Sequence, residues 1–358
     1  MKEGGGFYER VIGGTEEEKK ETAKTLQQFF ENPDKELAEY ELEKTPEDMR
    51  ILKRTETIVD STVEHYGGNP KPLPFDNIYI LKPGSVSKMT NGEFNEGIHF
   101  PLTSKIGVEK GESELMFASG VAHELFHAKS YKSARVGPSA GDARLYRSGL
   151  SMVDRKDLTK KHGTEKEYFG MLEEAIVAEC TKRFLKELSK EPHFRKEIEA
   201  VKTIKDWVAG YYRHIVGMAK GEPKKRLEKM LGSLDDELIF VVHPQKMVAN
   251  VLKYSDDELE RQAYATGIIQ GLHKGGGVES MERYKERKMM YALLDELVEK
   301  SNGRFKNRDE AFGEFARANF SGNYLPLARI VEDILGKGSF RRLANEFATE
   351  KETKNEPD

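Results

Sequence analysis

The sequence predicts an α+β fold that is predominantly α-helical, with a small mixed sheet and helical N- and C-terminal regions. Three observations predict it. Charged text with apolar residues at helical spacing fills 15–68, 167–188 and much of 276–345. Short β-branched and aromatic runs between Gly and Pro occupy about 74–111. Between these parts lies "SELMFASGVAHELFHA", which is apolar on most sides and reads as a buried helix.

Residues 1–14 are glycine-rich and read as a flexible leader. Thr15 followed by Glu18 is a capping box that starts the N-terminal helical region, 15–68. Pro33 and Pro46 cut it into two or three helices, and Gly67-Gly68 end it. "PFDNIYIL" (74–81) and "GIHFPLTSKIGVEKG" (97–111) read as short strands with loops. A helix follows at roughly 112–132. "ARLYRSGLSMVD" (143–154) reads as a hairpin or an irregular loop, and "EYFGMLEEAIVAECTKRFLKEL" (167–188) as a strong helix. "LIFVV" (238–242) suits a short strand, and "GGG" (275–277) marks a boundary. The central domain is therefore expected at 69–275. A C-terminal helical domain of three helices follows at 276–345, then a disordered tail at 346–358.

Bulk properties narrow the function classes. The chain has 358 residues, 34% charged and 37% hydrophobic, and its net charge of -4 comes from nearly balanced populations. No nucleic-acid or anionic-membrane partner is indicated. One cysteine, Cys180, excludes an internal disulfide framework and fits a reducing compartment. The N-terminus lacks an apolar signal-peptide core, and no apolar run is long enough to span a bilayer, so the expected location is cytoplasmic.

The chemistry lies in "GVAHELFHAKS" (120–130). On a helix, His123 and His127 stand one turn apart and aim both imidazoles at one point. Neutral imidazole is a good Zn²⁺ ligand. Glu124 lies on the edge of the same face, where its carboxylate can activate a water without binding the metal. H-E-x-x-H on a helix therefore implies one catalytic zinc and hydrolysis, usually of a peptide bond, by a Glu-activated, zinc-bound water. With 9 histidines in the chain, a chance match has a probability of roughly 2%. The apolar flanks count against chance, because buried histidines and a glutamate without partners are costly. Gly120, one turn before His123, either leaves room above the metal or permits a close helix–helix contact.

A catalytic zinc needs a third protein ligand. Ser130 and Ser133 stand where a nearby Gly and third His would be needed, and Cys180 lies downstream rather than upstream of the motif. The remaining choice is a carboxylate on a second helix, and "LEEAIVAEC" (172–180) offers Glu173, Glu174 and Glu179. Over roughly 75–190 the chain resembles the gluzincin zinc metallopeptidases, in which H-E-x-x-H is followed on a later helix by a glutamate ligand before a small residue. The resemblance implies a zincin-like domain, with the sheet packed on the H-E-x-x-H helix, and assigns the third ligand to Glu174, before Ala175. Position 178 is Ala, so the carboxylate that orients a zinc-bound histidine must come from elsewhere. Glu173 heads an apolar stripe and is an alternative ligand. Glu179 also reads as a surface ion pair with Arg183.

Such enzymes commonly hold a peptide or protein substrate as an added strand along a sheet edge, and "GIHFPLTSKIGVEKG" can supply that edge. Tyr146, Arg147, His162 and Tyr168 are candidates for stabilising the oxyanion. Cys180 reads as a buried core thiol. Asp60, His65 and His99 have no partner legible in the sequence. Two other functions fit the motif: a regulatory protease of a stress or mobile-element circuit, and a non-catalytic zinc-binding scaffold. The sequence leaves the oligomeric state open.

Overall fold

The computed structural model describes residues 8–90, 97–137, 143–155, 164–222, 224, 225, 228 and 283–352. "LIFVV", "GGG" and His162 lie outside them. The architecture is α+β, with helices around two small mixed sheets. Contacts divide the chain into one unit of Met1–Glu109, Val121–Thr181 and Glu286–Asp358 and another of Lys110–Gly120 and Lys182–Lys285.

In the first unit, strand β1 (Arg10–Ile12) precedes helices α1 (Glu16–Glu31), α2 (Lys35–Tyr40) and α3 (Pro46–His65). β1 thus lies inside the Gly-rich leader that composition reads as flexible. Local chemistry sets the helix starts. Thr15 and Glu18 cap α1 reciprocally at 2.6 and 3.2 Å. Thr45 and Asp48 do the same for α3, which has Pro46 in its first turn.

The smaller sheet has the order β2-β4-β3, from β2 (Ile78–Leu81), β3 (Gly97–Phe100) and β4 (Lys105–Glu109). β2 runs parallel to β4, and β3 is antiparallel to β4 and forms an edge. Period-2 alternation divides β3 between two faces. Ile98 and Phe100 pack on a cluster of Leu37, Tyr79, Leu81 and Val86, with short helix α4 (Ser85–Met89) alongside. Gly97 and His99 therefore face the other way. The buried ammonium of Lys105 on β4 donates to the carbonyls of Phe29 and Asn32 and closes the end of α1.

The larger sheet has the order β1-β5-β6-β7-β8-β9, from β5 (Lys132–Val136), β6 (Ala143–Ser148), β7 (Ser151–Arg155), β8 (Thr164–Tyr168) and β9 (Thr349–Glu352). β1 is parallel to β5, and every other pair is antiparallel. The 143–154 segment is a hairpin whose tight turn uses Gly149 at φ +56. A Cβ there would collide with Asn319, whose Oδ1 accepts from the Leu150 N–H at 2.9 Å. β9 falls in the tail that composition reads as disordered.

Two helices carry the candidate site residues: α5 (Glu114–Lys129) and α6 (Gly170–Leu188). After α7 (Arg195–Met218), the described chain resumes with α8 (Tyr284–Lys300), α9 (Arg308–Ser321), α10 (Leu325–Leu335) and α11 (Ser339–Glu346). In the second unit, Glu197 on α7 accepts from the backbone N–H groups of Glu114 and Leu115, both at 3.1 Å, and from the Ser113 hydroxyl. A carboxylate there satisfies N–H groups that the first turn leaves open and complements the helix dipole.

In the first unit, α5 ends at Lys129, whose side chain is 0% exposed and pairs with Glu56 at 2.9 Å and Asp60 at 2.6 Å, both on α3. This gives Asp60 the partner that the sequence did not reveal. Removing one member of a buried ion cluster leaves the others uncompensated. Lys129→Met should therefore lower stability by about 3 kcal/mol. Urea unfolding followed by circular dichroism checks this, and an unchanged midpoint would show that the cluster is energetically idle.

Candidate metal centre

Helix α5 places His123 and His127 on one face, and α6 brings Glu174 to them. The ring nitrogens Nε2 of His123 and His127 are 3.2 Å apart. Glu174 Oε2 lies 3.6 Å from His127 Nε2 and 3.9 Å from His123 Nε2. Ala175, next to Glu174, is fully buried, as are Val121, Ala122, Leu125 and Phe126 around the histidines.

The hydrogen bonds fix which nitrogens point at this cluster. His127 Nδ1 lies 3.1 Å from Glu173 Oε1. A carboxylate only accepts, so the Nδ1 proton belongs there and Nε2 of the neutral ring carries a lone pair. At His123, Thr181 Oγ1 lies 3.5 Å from Nδ1 and donates its own proton to the Val177 carbonyl at 2.9 Å. The hydroxyl oxygen is thus left to accept from Nδ1–H, which again leaves Nε2 bare. With both rings neutral, as metal ligation requires, two imidazole lone pairs and one carboxylate oxygen would converge on one point.

This donor set fits zinc. Arms of 2.0–2.1 Å in a tetrahedron put ligand atoms roughly 3.4 Å apart, and the three separations here bracket that value. A cation also suits the charge balance. Burial opposes charge on His127, yet Glu173 and Glu174 outweigh it and hold the imidazole well above the usual histidine range. The cluster recruits positive charge.

Glu124, 7% exposed, packs against β3: a Cβ added to Gly97 would stand 2.5 Å from Glu124 Oε1 and 2.9 Å from its Cγ. The other two glutamates are engaged elsewhere. Glu173 serves the far nitrogen of His127 rather than the cluster, and so supplies the orienting carboxylate that Ala178 does not. Glu179 Oε2 accepts from the Tyr291 hydroxyl at 2.5 Å.

Of the oxyanion candidates, Arg147 is committed to structure. It donates to the carbonyls of Gly149 at 2.7 Å and Gly322 at 2.6 Å and lies over the rings of Tyr131 and Tyr324. The ring of Tyr146 lies under Arg135, and that of Tyr168 under Lys166. Cys180 is a buried free thiol. His65 packs edge-on against Tyr66.

Sequence reasoning missed His99. Its ring lies parallel to His127, with centroids 6.1 Å apart, and its Nε2 is 3.0 Å from Lys132 Nζ. Position 99 shares a strand face with Gly97, a signal available once β3 is known to cross the motif helix.

Glu173→Gln keeps the side-chain shape but removes the charge behind His127. Loss of such an orienting carboxylate costs about 10- to 100-fold in metal affinity, and that loss is expected here in competition with a chromophoric chelator. Unchanged affinity would show that Glu173 does not tune His127. No family model, curated protein or solved structure matches this chain.

Proposed function

We propose that the protein is a zinc-dependent metallopeptidase of gluzincin type, with a zincin-like catalytic domain. One observation carries the reading: the Nε2 atoms of His123 and His127 converge with Glu174 Oε2 at separations of 3.2–3.9 Å. His123, His127 and Glu174 would hold the ion. When bound, zinc supplies Lewis acidity that polarises a carbonyl and makes water acidic near neutral pH.

The protein's own groups do the rest. Glu124 accepts the proton of the attacking water at its carboxylate and delivers it to the leaving amine. Glu173 and Thr181 hold the two imidazoles in their ligand tautomers. Among the described residues β3 pairs with β4 alone, so its outer edge supports addition of an extended peptide, whose backbone would run past Glu124. The absence among the described residues of any helix long and apolar enough to cross a membrane is compatible with this reading.

Glu124→Gln separates binding from chemistry. The variant should retain zinc at the wild-type stoichiometry and lose peptide-library hydrolysis by about 100-fold or more. Zinc binding without cleavage by the wild type would favour a scaffold. Full activity in Glu124→Gln would overturn the role of Glu124.

A further inference from the structure

Lys132 is 0% exposed. Burying an ammonium is costly unless its hydrogen bonds are well used. Its Nζ donates to the Ala128 carbonyl at 2.9 Å, in the last turn of α5, and meets His99 Nε2 at 3.0 Å. An ammonium has no lone pair, so His99 Nε2 is the acceptor and the ring proton sits on Nδ1. One side chain thus ties the end of the motif helix to β3. Two residues earlier on the same face of β3, Gly97 lies against Glu124 with no space for a methyl group.

We propose that Lys132 and His99 are a positioning pair that sets the register of β3 on the H-E-x-x-H helix and, through Gly97, the place of the Glu124 carboxylate. The proposal rests on the peptidase reading for its catalytic consequence only. The surroundings anchor both members. Glu9 accepts from the Lys132 N–H at 2.7 Å, and its own N–H donates to the Lys132 carbonyl at 3.0 Å. The Tyr8 hydroxyl donates to the Pro101 carbonyl, just past β3, at 2.6 Å. His99 also lays a flat face on the ring of His127, with centroids 6.1 Å apart. Burial lowers Lys132 to about 7, so the pair is best observed at about pH 6, where the ammonium dominates.

The test uses the full-length chain, metal-free, with ¹⁵N-labelled histidine, and His99→Gln to assign the signals. His99 should be the Nδ1–H tautomer in the wild type and should lose that preference in Lys132→Met. Zinc affinity should stay within about threefold in Lys132→Met and Gly97→Ala, while kcat falls at least about tenfold in both, since small misplacements of a catalytic group are expensive. An Nε2–H tautomer or a protonated ring at His99 in the wild type overturns the pair, and this holds even if Lys132→Met does not fold. Unchanged kcat in Gly97→Ala overturns the link to Glu124. If the wild type cleaves nothing, the peptidase reading fails, while the nitrogen spectra still decide the pair.

Discussion

The site depends on one electrostatic constraint: two imidazoles and two carboxylates are held within contact distance of one another beside an apolar core. Nε2 of His123 and His127, with Glu174 Oε2, face one another across less than the width of a water molecule pair. Val121, Leu125, Phe126 and Ile176 on the same two helices are fully buried, while the side chains of His123 and Glu174 stay 16% and 26% exposed. Glu173 and Glu174 draw positive charge to this cluster, as the raised His127 shows, and a bound cation would supply it. The identities of Glu173 and Thr181 follow from this constraint, since each takes the far nitrogen of one ring and turns the other nitrogen inward.

The same constraint explains why rigid elements carry the donors. α5 holds two ligands one turn apart, and α6 holds the third. α5 is fixed at its start by Ser113 and Glu197 and at its end by Lys129 and the Lys132–Ala128 bond. A metal site tolerates little positional error, and capped, ion-paired helix ends limit fraying. β3 then approaches the helix through a glycine and a histidine, which bring the sheet edge against the proposed general base.

The legible parts of this molecule are those written in local chemistry. Thr15 and Glu18, Pro46, and the Gly149 hairpin follow from residue types a few positions apart. So does the pairing of His123 with His127, because helix periodicity alone makes them neighbours. The roles of Glu173 and Glu174 were not separable from sequence. Adjacent residues on α6 point about 100° apart, and only the approach of α5 decides which one meets the cluster and which one meets His127 Nδ1. His99, Asp60 and Lys132 were opaque for a related reason: their partners are 33 to 69 residues away. β8, "TEKEY", shows no apolar alternation, and its place in the sheet comes from backbone pairing with β7 on one side and the sequence-distant β9 on the other.

The most direct measurement of the central claim is zinc stoichiometry by calorimetric titration of the metal-free chain, comparing the wild type with Glu174→Ala and Glu179→Ala. The account predicts one ion per chain in the wild type and in Glu179→Ala, and strongly weakened binding in Glu174→Ala. Wild-type affinity retained in Glu174→Ala, or no zinc bound by the wild type, would contradict it.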